Sequence, residues 1–85
     1  MPTLSEFDGV KIQMFFQEAE HNFPHFHAWY NGSRASFSIE TGELLAGKLP
    51  DSIVSQIQKW YKVHKEELVK AWESQSFIKI PPTFK

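Results

Sequence analysis

Apolar and polar positions alternate in the first half of the chain. Successive side chains of a β-strand point to opposite faces, so the alternation over residues 10–16 predicts a half-buried strand. Residues 2–5 are predicted to form an edge strand or a strap, and Asp8-Gly9 to form the turn that follows. The residues on the apolar side of the predicted strand are Val10, Ile12, Met14 and Phe16.

The clearest local signal is a β-hairpin over residues 25–39. Asn31-Gly32 tolerates the two positive φ angles of a type I′ turn, and a two-residue loop sets the pairing of the flanking strands. Tyr30 is then opposite Ser33, and the other pairs follow by counting outward. The predicted core face carries Phe26, Ala28, Tyr30, Ala35, Phe37 and Ile39, and the other face carries His25, His27, Trp29, Arg34, Ser36 and Ser38.

The hairpin is followed by a turn at residues 40–42, where Gly42 suits a left-handed conformation. A short strand is predicted next, over residues 43–46, which makes the sheet an antiparallel meander. Pro50 and Asp51 then favour a helix start, because proline suits the first helical position and a carboxylate complements the positive end of the helix dipole.

Beyond this point the apolar residues recur at three- and four-residue steps. This period predicts one long helix over residues 50–75 with a single apolar stripe, and a break at residue 63 or 64 is an open alternative. The stripe consists of Ile53, Ile57, Trp60, Tyr61, His64, Leu68, Ala71 and Trp72.

Together these elements predict an α+β domain: a small antiparallel β-meander of about four or five strands, with one long C-terminal helix packed on one face. We expect residues 1–85 to form a single domain. The sheet is expected within residues 1–47 and the helix within residues 50–75. Residues 76–85 are expected to form a tail that is either an edge strand or a strap across the helix.

Composition excludes several kinds of chemistry. The chain has no cysteine, so it has no disulfide, thiolate nucleophile or cysteine-based zinc site. Nine basic and ten acidic residues give a formal net charge of -1, which argues against nucleic acid as a partner. No apolar run approaches the ~20 residues of a membrane span, and the first residues lack a basic leader and a hydrophobic signal core. A cytoplasmic protein without a membrane partner is therefore expected.

The sharpest chemical motif is His-Phe-His at residues 25–27. Side chains two apart on a strand point the same way, so His25 and His27 can share a divalent metal such as zinc. Two ligands do not complete a site. The candidates for a third ligand are Gln13, Glu18, Glu20 and His21, or a residue of a second chain. The alternative is an exposed face without a cofactor, on which the histidines hydrogen-bond Ser36 and Ser38.

The same triplet resembles the metal motif of rolling-circle-type nucleases and small transposases, in which a helix tyrosine attacks the DNA phosphate. That resemblance implies a metal-dependent phosphodiesterase or nuclease with Tyr61 as its nucleophile. However, Tyr61 lies on the apolar stripe, which should pack on the face opposite the histidines, and the chain is short and not basic. The sequence alone does not decide whether the protein is an enzyme.

An interaction surface is the leading functional prediction. Trp29 and Arg34 can form a cation–π pair, and both residue types are enriched at binding hot spots. A single helix covers only one side of the sheet, so the other side is expected to be open. We predict a protein-interaction module whose partner is another protein or a second copy of the chain. The predicted contact surface is His25, His27, Trp29, Arg34, Ser36 and Ser38.

Short motifs along the whole chain resemble one family. They are Pro2-Thr3-Leu4, Phe7 with Gly9-Val10, Pro24-His25-Phe26-His27-Ala28, residues 35–39, Gly42-Glu43, Gly47-Lys48-Leu49-Pro50, Trp60, residues 64–68 with Trp72, and Ile80 before proline. With these motifs the chain resembles the small prokaryotic family known as domain of unknown function 4160. It departs from the family at Phe23, where members often have a proline. The family has no established activity. Its members resemble operon partners, which implies a toxin–antitoxin-like pair.

Overall fold

The computed structural model describes residues 3–14 and 24–84. Within these residues, five strands precede one helix. The strands are β1 (Thr3–Phe7), β2 (Val10–Gln13), β3 (His25–Tyr30), β4 (Ser33–Ser38) and β5 (Leu44–Gly47), and the helix is α1 (Asp51–Ser74). The sheet has the order β1-β2-β3-β4-β5 with antiparallel neighbours, so it is a meander. The predicted α+β fold is confirmed. The predicted strand position Phe16 and the connection at residues 17–23 lie outside the described residues.

The β3–β4 hairpin has the predicted register. All six pairs agree, from Tyr30 opposite Ser33 at the turn to His25 opposite Ser38 at the far end. The turn forms because Asn31 and Gly32 adopt φ angles of 48° and 77°, which are the positive values that a type I′ turn requires. The same type of residue pair, Asp8-Gly9, has positive φ angles between β1 and β2. Both predicted turns are confirmed.

Strand β5 is less regular than expected. Ser36 pairs with Ala46, but Phe37 pairs with Leu44, so Leu45 is an extra residue on β5 and the ladder contains a β-bulge. The strand begins at Leu44 and ends at Gly47, one residue later at each end than the sequence predicted.

The core lies between one sheet face and α1. Trp60 of α1 is fully buried and its ring is 5.6 Å from that of Phe7 and 6.1 Å from that of Phe26. The predicted helix stripe is buried, except that Trp72 is half-buried. On the hairpin, Tyr30 is half-buried and the other predicted core positions are buried. These are Phe26, Ala28, Ala35, Phe37 and Ile39.

Helix α1 changes direction at His64, where φ is −114° and ψ is 20°. The predicted alternative of a break at residue 63 or 64 therefore corresponds to a local kink within α1. The His64 ring is buried, with Nδ1 2.7 Å from Glu67 Oε1 and Nε2 2.8 Å from the Thr83 carbonyl oxygen. His64 thus holds the tail against the helix. No helix in the described part of the chain is long and apolar enough to cross a membrane.

The tail is a strap. None of residues 76–84 belongs to a strand, but the Ile80 amide donates a hydrogen bond to the Leu4 carbonyl at 2.8 Å. The Trp60 indole donates to the Pro81 carbonyl at 3.1 Å, and the Phe84 ring meets the Phe7 ring edge-on at 5.2 Å. Of the two alternatives for the tail, the strap is confirmed, and it runs along β1, the first edge of the sheet.

Candidate functional site

The candidate site lies on the sheet face opposite the main core, which we call the distal face. Strand β2 adds two residues to the hairpin residues predicted there, because Lys11 pairs with Trp29 and Gln13 pairs with His27. Cross-strand partners share a face. On β2, β3 and β4 the distal face therefore carries Lys11, Gln13, His25, His27, Trp29, Arg34, Ser36 and Ser38.

The two histidines are not accessible. His25 and His27 are only 5% and 8% exposed. Their rings lie 5.0 Å apart, edge to face, and the His25 ring is 5.4 Å from the ring of Trp72, which projects from the C-terminal half of α1. The expectation of an open surface is wrong at this end of the distal face, because the histidines pack against other rings.

The metal hypothesis depends on residues that the structure does not describe. His25 and His27 share a face as predicted, and Gln13, one candidate third ligand, is the register partner of His27. The other candidates, Glu18, Glu20 and His21, lie outside the described residues. Within residues 3–14 and 24–84, no group of three histidine, cysteine, aspartate or glutamate side chains could hold a metal ion. A zinc site therefore stays a prediction.

The predicted surface serines have different surroundings. Ser38 is buried, and its hydroxyl accepts hydrogen bonds from the backbone amides of Glu40 and Thr41 at 3.1 Å and 3.3 Å. Such a bond stabilises a turn, so the assignment of Ser38 to the contact surface is corrected to a role in the β4–β5 connection. Ser36 is half-buried, between His27 on β3 and Ala46 on β5.

The accessible part of the distal face is a groove beside the hairpin turn, which we call the Trp29 groove. Its volume is about 580 Å³. Trp29 is half-buried, and the guanidinium carbon of exposed Arg34 lies 5.3 Å from the centre of its ring. The predicted cation–π pair is confirmed. The groove is lined by Gly9, Lys11, Gln13, Trp29, Tyr30, Asn31, Gly32 and Arg34.

The charged side chains that line the Trp29 groove are all positive. Its lining contains two cations, Lys11 and Arg34, and no carboxylate. Glu6 on β1 is the register partner of Lys11 but does not line the groove. The indole Nε1 of Trp29 is buried, and no acceptor lies within hydrogen-bonding distance of it in the part of the chain that is described. The two cations make the groove complementary to an anionic group.

Tyr61 lies on the other side of the sheet. It is 5% exposed, its ring is 6.3 Å from the Phe26 ring, and its hydroxyl donates to the Ile39 carbonyl at 2.5 Å. The prediction that Tyr61 is a packing residue is confirmed. Its hydroxyl is engaged in the core and faces away from the side that carries His25 and His27.

The family model described as "Domain of unknown function (DUF4160)" matches residues 9–73. The chain belongs to this family. The matched span contains β2 to β5 and almost all of α1, and thus the whole Trp29 groove. The comparisons with curated proteins and with solved structures give no significant match.

The sequence reasoning missed Lys11 as a site residue of this DUF4160 protein. The alternation over residues 10–16 puts Lys11 on the side opposite the apolar residues, but without the β2–β3 register nothing in the sequence links it to Trp29. A signal was present, because consecutive strands of a meander are neighbours and the polar side of one joins the polar side of the next. Trp72 was assigned to the core stripe alone, and no local pattern places its ring against His25.

We expect Tyr61→Phe to lower the free energy of unfolding by about 1 to 2 kcal/mol, because the substitution leaves the buried Ile39 carbonyl without its donor while keeping the ring. Urea unfolding followed by tryptophan fluorescence measures the difference. Tyr30→Phe, at a half-buried position, is the matched control and should change the value by less than about 0.5 kcal/mol. Equal losses in the two variants would show that the Tyr61 hydroxyl contributes nothing specific.

Proposed function

We propose that this DUF4160 protein is a protein-interaction module and that the Trp29 groove is its contact site. The single observation that carries the proposal is an accessible groove in which Trp29 lies beside two cations and no carboxylate.

The charge of the groove favours one class of partner. Lys11 and Arg34 line the groove without a carboxylate, so an acidic side chain or a chain terminus with a carboxylate is complementary to it. Arginine can hold a carboxylate through two parallel hydrogen bonds. We therefore propose a protein partner that inserts an acidic segment beside Trp29.

The ring of Trp29 supplies the apolar part of the contact. Tryptophan and arginine are the residue types that most often dominate binding energy, especially where neighbouring residues exclude water. Here Arg34 lies over the ring at 5.3 Å, so the pair already has a defined geometry and little ordering is needed when a partner binds. The histidines at the buried end support the sheet beneath this contact and do not form the contact itself.

The partner is identified by affinity capture from the native cells, and its binding is then measured with purified proteins by isothermal titration calorimetry. We expect Trp29→Ala to weaken binding about 30-fold or more and Trp29→Phe, which keeps an aromatic ring but loses the second ring of the indole with its N–H group, to weaken it about tenfold. Arg34→Glu should weaken binding at least tenfold, with the effect reduced at high salt.

Val63→Ala is the control for this series, since Val63 is exposed on α1 and does not line the groove. It should leave the dissociation constant unchanged. Unfolding curves verify that each variant is folded. A captured protein that binds the wild type, Trp29→Ala and Arg34→Glu equally would contradict the proposed site.

The metal-hydrolase alternative has no supporting observation within residues 3–14 and 24–84. The buried Tyr61 hydroxyl is bonded to Ile39, and the two adjacent histidines have no third described histidine, cysteine or carboxylate beside them. The toxin–antitoxin-like pairing implied by the family resemblance is compatible with an interaction module. We propose that the acidic partner is the other member of such a pair.

A further inference from the structure

Strand β5 forms the second edge of the sheet. In the described part of the chain, it pairs with β4 on one side and with nothing on the other. All four of its residues are exposed, including Leu44 at 41% and Leu45 at 48%. The outer side of such a strand presents unpaired N–H and C=O groups that can pair with another strand.

The strand is short and bulged, two features that weaken an edge for pairing, but it lacks the other usual protection. Proteins also block free edges with charged residues or proline in the strand, or cover them with another segment. β5 contains only leucine, alanine and glycine. The bulge at Leu45 shortens the regular ladder but leaves two adjacent leucines on the surface.

Charges flank the strand asymmetrically. Glu43 precedes β5 and Lys48 follows it, and both are exposed. Neither side chain forms an ion pair with the residues that the structure describes. In an antiparallel arrangement of two β5 strands, the acidic end of each lies beside the basic end of the other, whereas a parallel arrangement would bring like charges together.

We propose that β5 pairs in antiparallel orientation with β5 of a second copy of the chain. The two sheets then form one continuous sheet of ten strands, five from each copy. The partner strand comes from a second copy because a two-fold axis places Glu43 of each copy beside Lys48 of the other. Leu44 and Leu45 of each copy lose contact with water at the junction. This surface is separate from the Trp29 groove and does not depend on the function proposed for it.

The contact is short, so the dimer exchanges with monomer. Four residues per strand are expected to bury less area than the ~1,000 Å² of a stable interface, so we expect a weak dimer that dissociates at concentrations between about 10 µM and about 1 mM. Sedimentation equilibrium from about 10 µM to about 1 mM covers this range.

Charge reversal tests the orientation. Glu43→Lys places two basic ends together and Lys48→Glu places two acidic ends together, so each variant should raise the dissociation constant at least about tenfold. The double variant Glu43→Lys/Lys48→Glu restores opposite charges and should dimerise like the wild type. An equimolar mixture of the two single variants should form a heterodimer, although neither variant dimerises well alone.

Val63→Ala is the control, because Val63 is exposed on α1 and not on β5, so the substitution should leave the dissociation constant unchanged. Circular dichroism verifies that the exposed substitutions keep the fold. A chain that is monomeric up to about 1 mM overturns the proposal. So does a dimer with the same dissociation constant in the wild type and both single variants, which would place the interface elsewhere.

Discussion

Replacing Phe37 by alanine is expected to lower the free energy of unfolding by about 3 to 5 kcal/mol. Phe37 is fully buried on β4, an inner strand between β3 and β5, and its ring stacks on that of Phe26 at 5.4 Å with an interplanar angle of 11°. The truncation leaves a cavity between the sheet and α1, in a domain too small to have stability to spare. Urea unfolding followed by tryptophan fluorescence measures the loss.

Phe77→Ala is the matched control, since it removes the same group of atoms from a tail residue that is 47% exposed. Its cost should stay below about 1.5 kcal/mol. If the two phenylalanine variants unfolded at the same urea concentration, the assignment of Phe37 to the core face, and with it the hairpin register, would fail.

The second large effect is expected at Gly47, where alanine should destabilise the protein by about 3 kcal/mol or more. Gly47 has a φ of 87°, and a Cβ atom there would lie 2.3 Å from the Arg34 carbonyl oxygen and 2.7 Å from the Ala35 Cα atom. Both neighbours are backbone atoms of β4, so they cannot move aside without separating the two strands. The melting temperature and the urea midpoint should both fall.

Gly32→Ala separates the two causes of this loss. Gly32 has a similar φ of 77°, but a Cβ atom there would meet nothing within 4 Å. This variant therefore carries only the cost of the left-handed conformation, about 1 to 2 kcal/mol. A Gly47→Ala variant no less stable than Gly32→Ala would show that β5 does not pack closely on β4.

Local signals predicted most of the fold. Asn31-Gly32 determines its own turn and, through it, all six pairs of the hairpin. The apolar period of the helix predicted its buried stripe, because residues three and four apart lie on the same side of a helix. The bulge at Leu45 was not predictable in this way, because it depends on how β5 fits a partner strand that is already twisted.

The candidate site was predicted less completely. Alternation along β3 placed Trp29 and His27 on the same face, but it carries no information about burial at either end of that face. The His25 end is buried because the Trp72 ring meets it, and the Trp29 end gains a second cation because β2 brings Lys11 alongside. Both effects are contacts between distant parts of the chain, which depend on tertiary geometry and not on local pattern.

The strap along β1 affects whether a further strand can add to that edge of the sheet. A sheet that adds copies at both edges grows into a filament, as in amyloid, whereas a sheet that adds them at one edge stops at two. Because the Ile80 amide occupies the Leu4 carbonyl and Phe84 packs on Phe7, the β1 edge is closed to a further copy. If β5 pairs with a second copy as proposed, the C-terminal tail therefore limits the assembly to two copies.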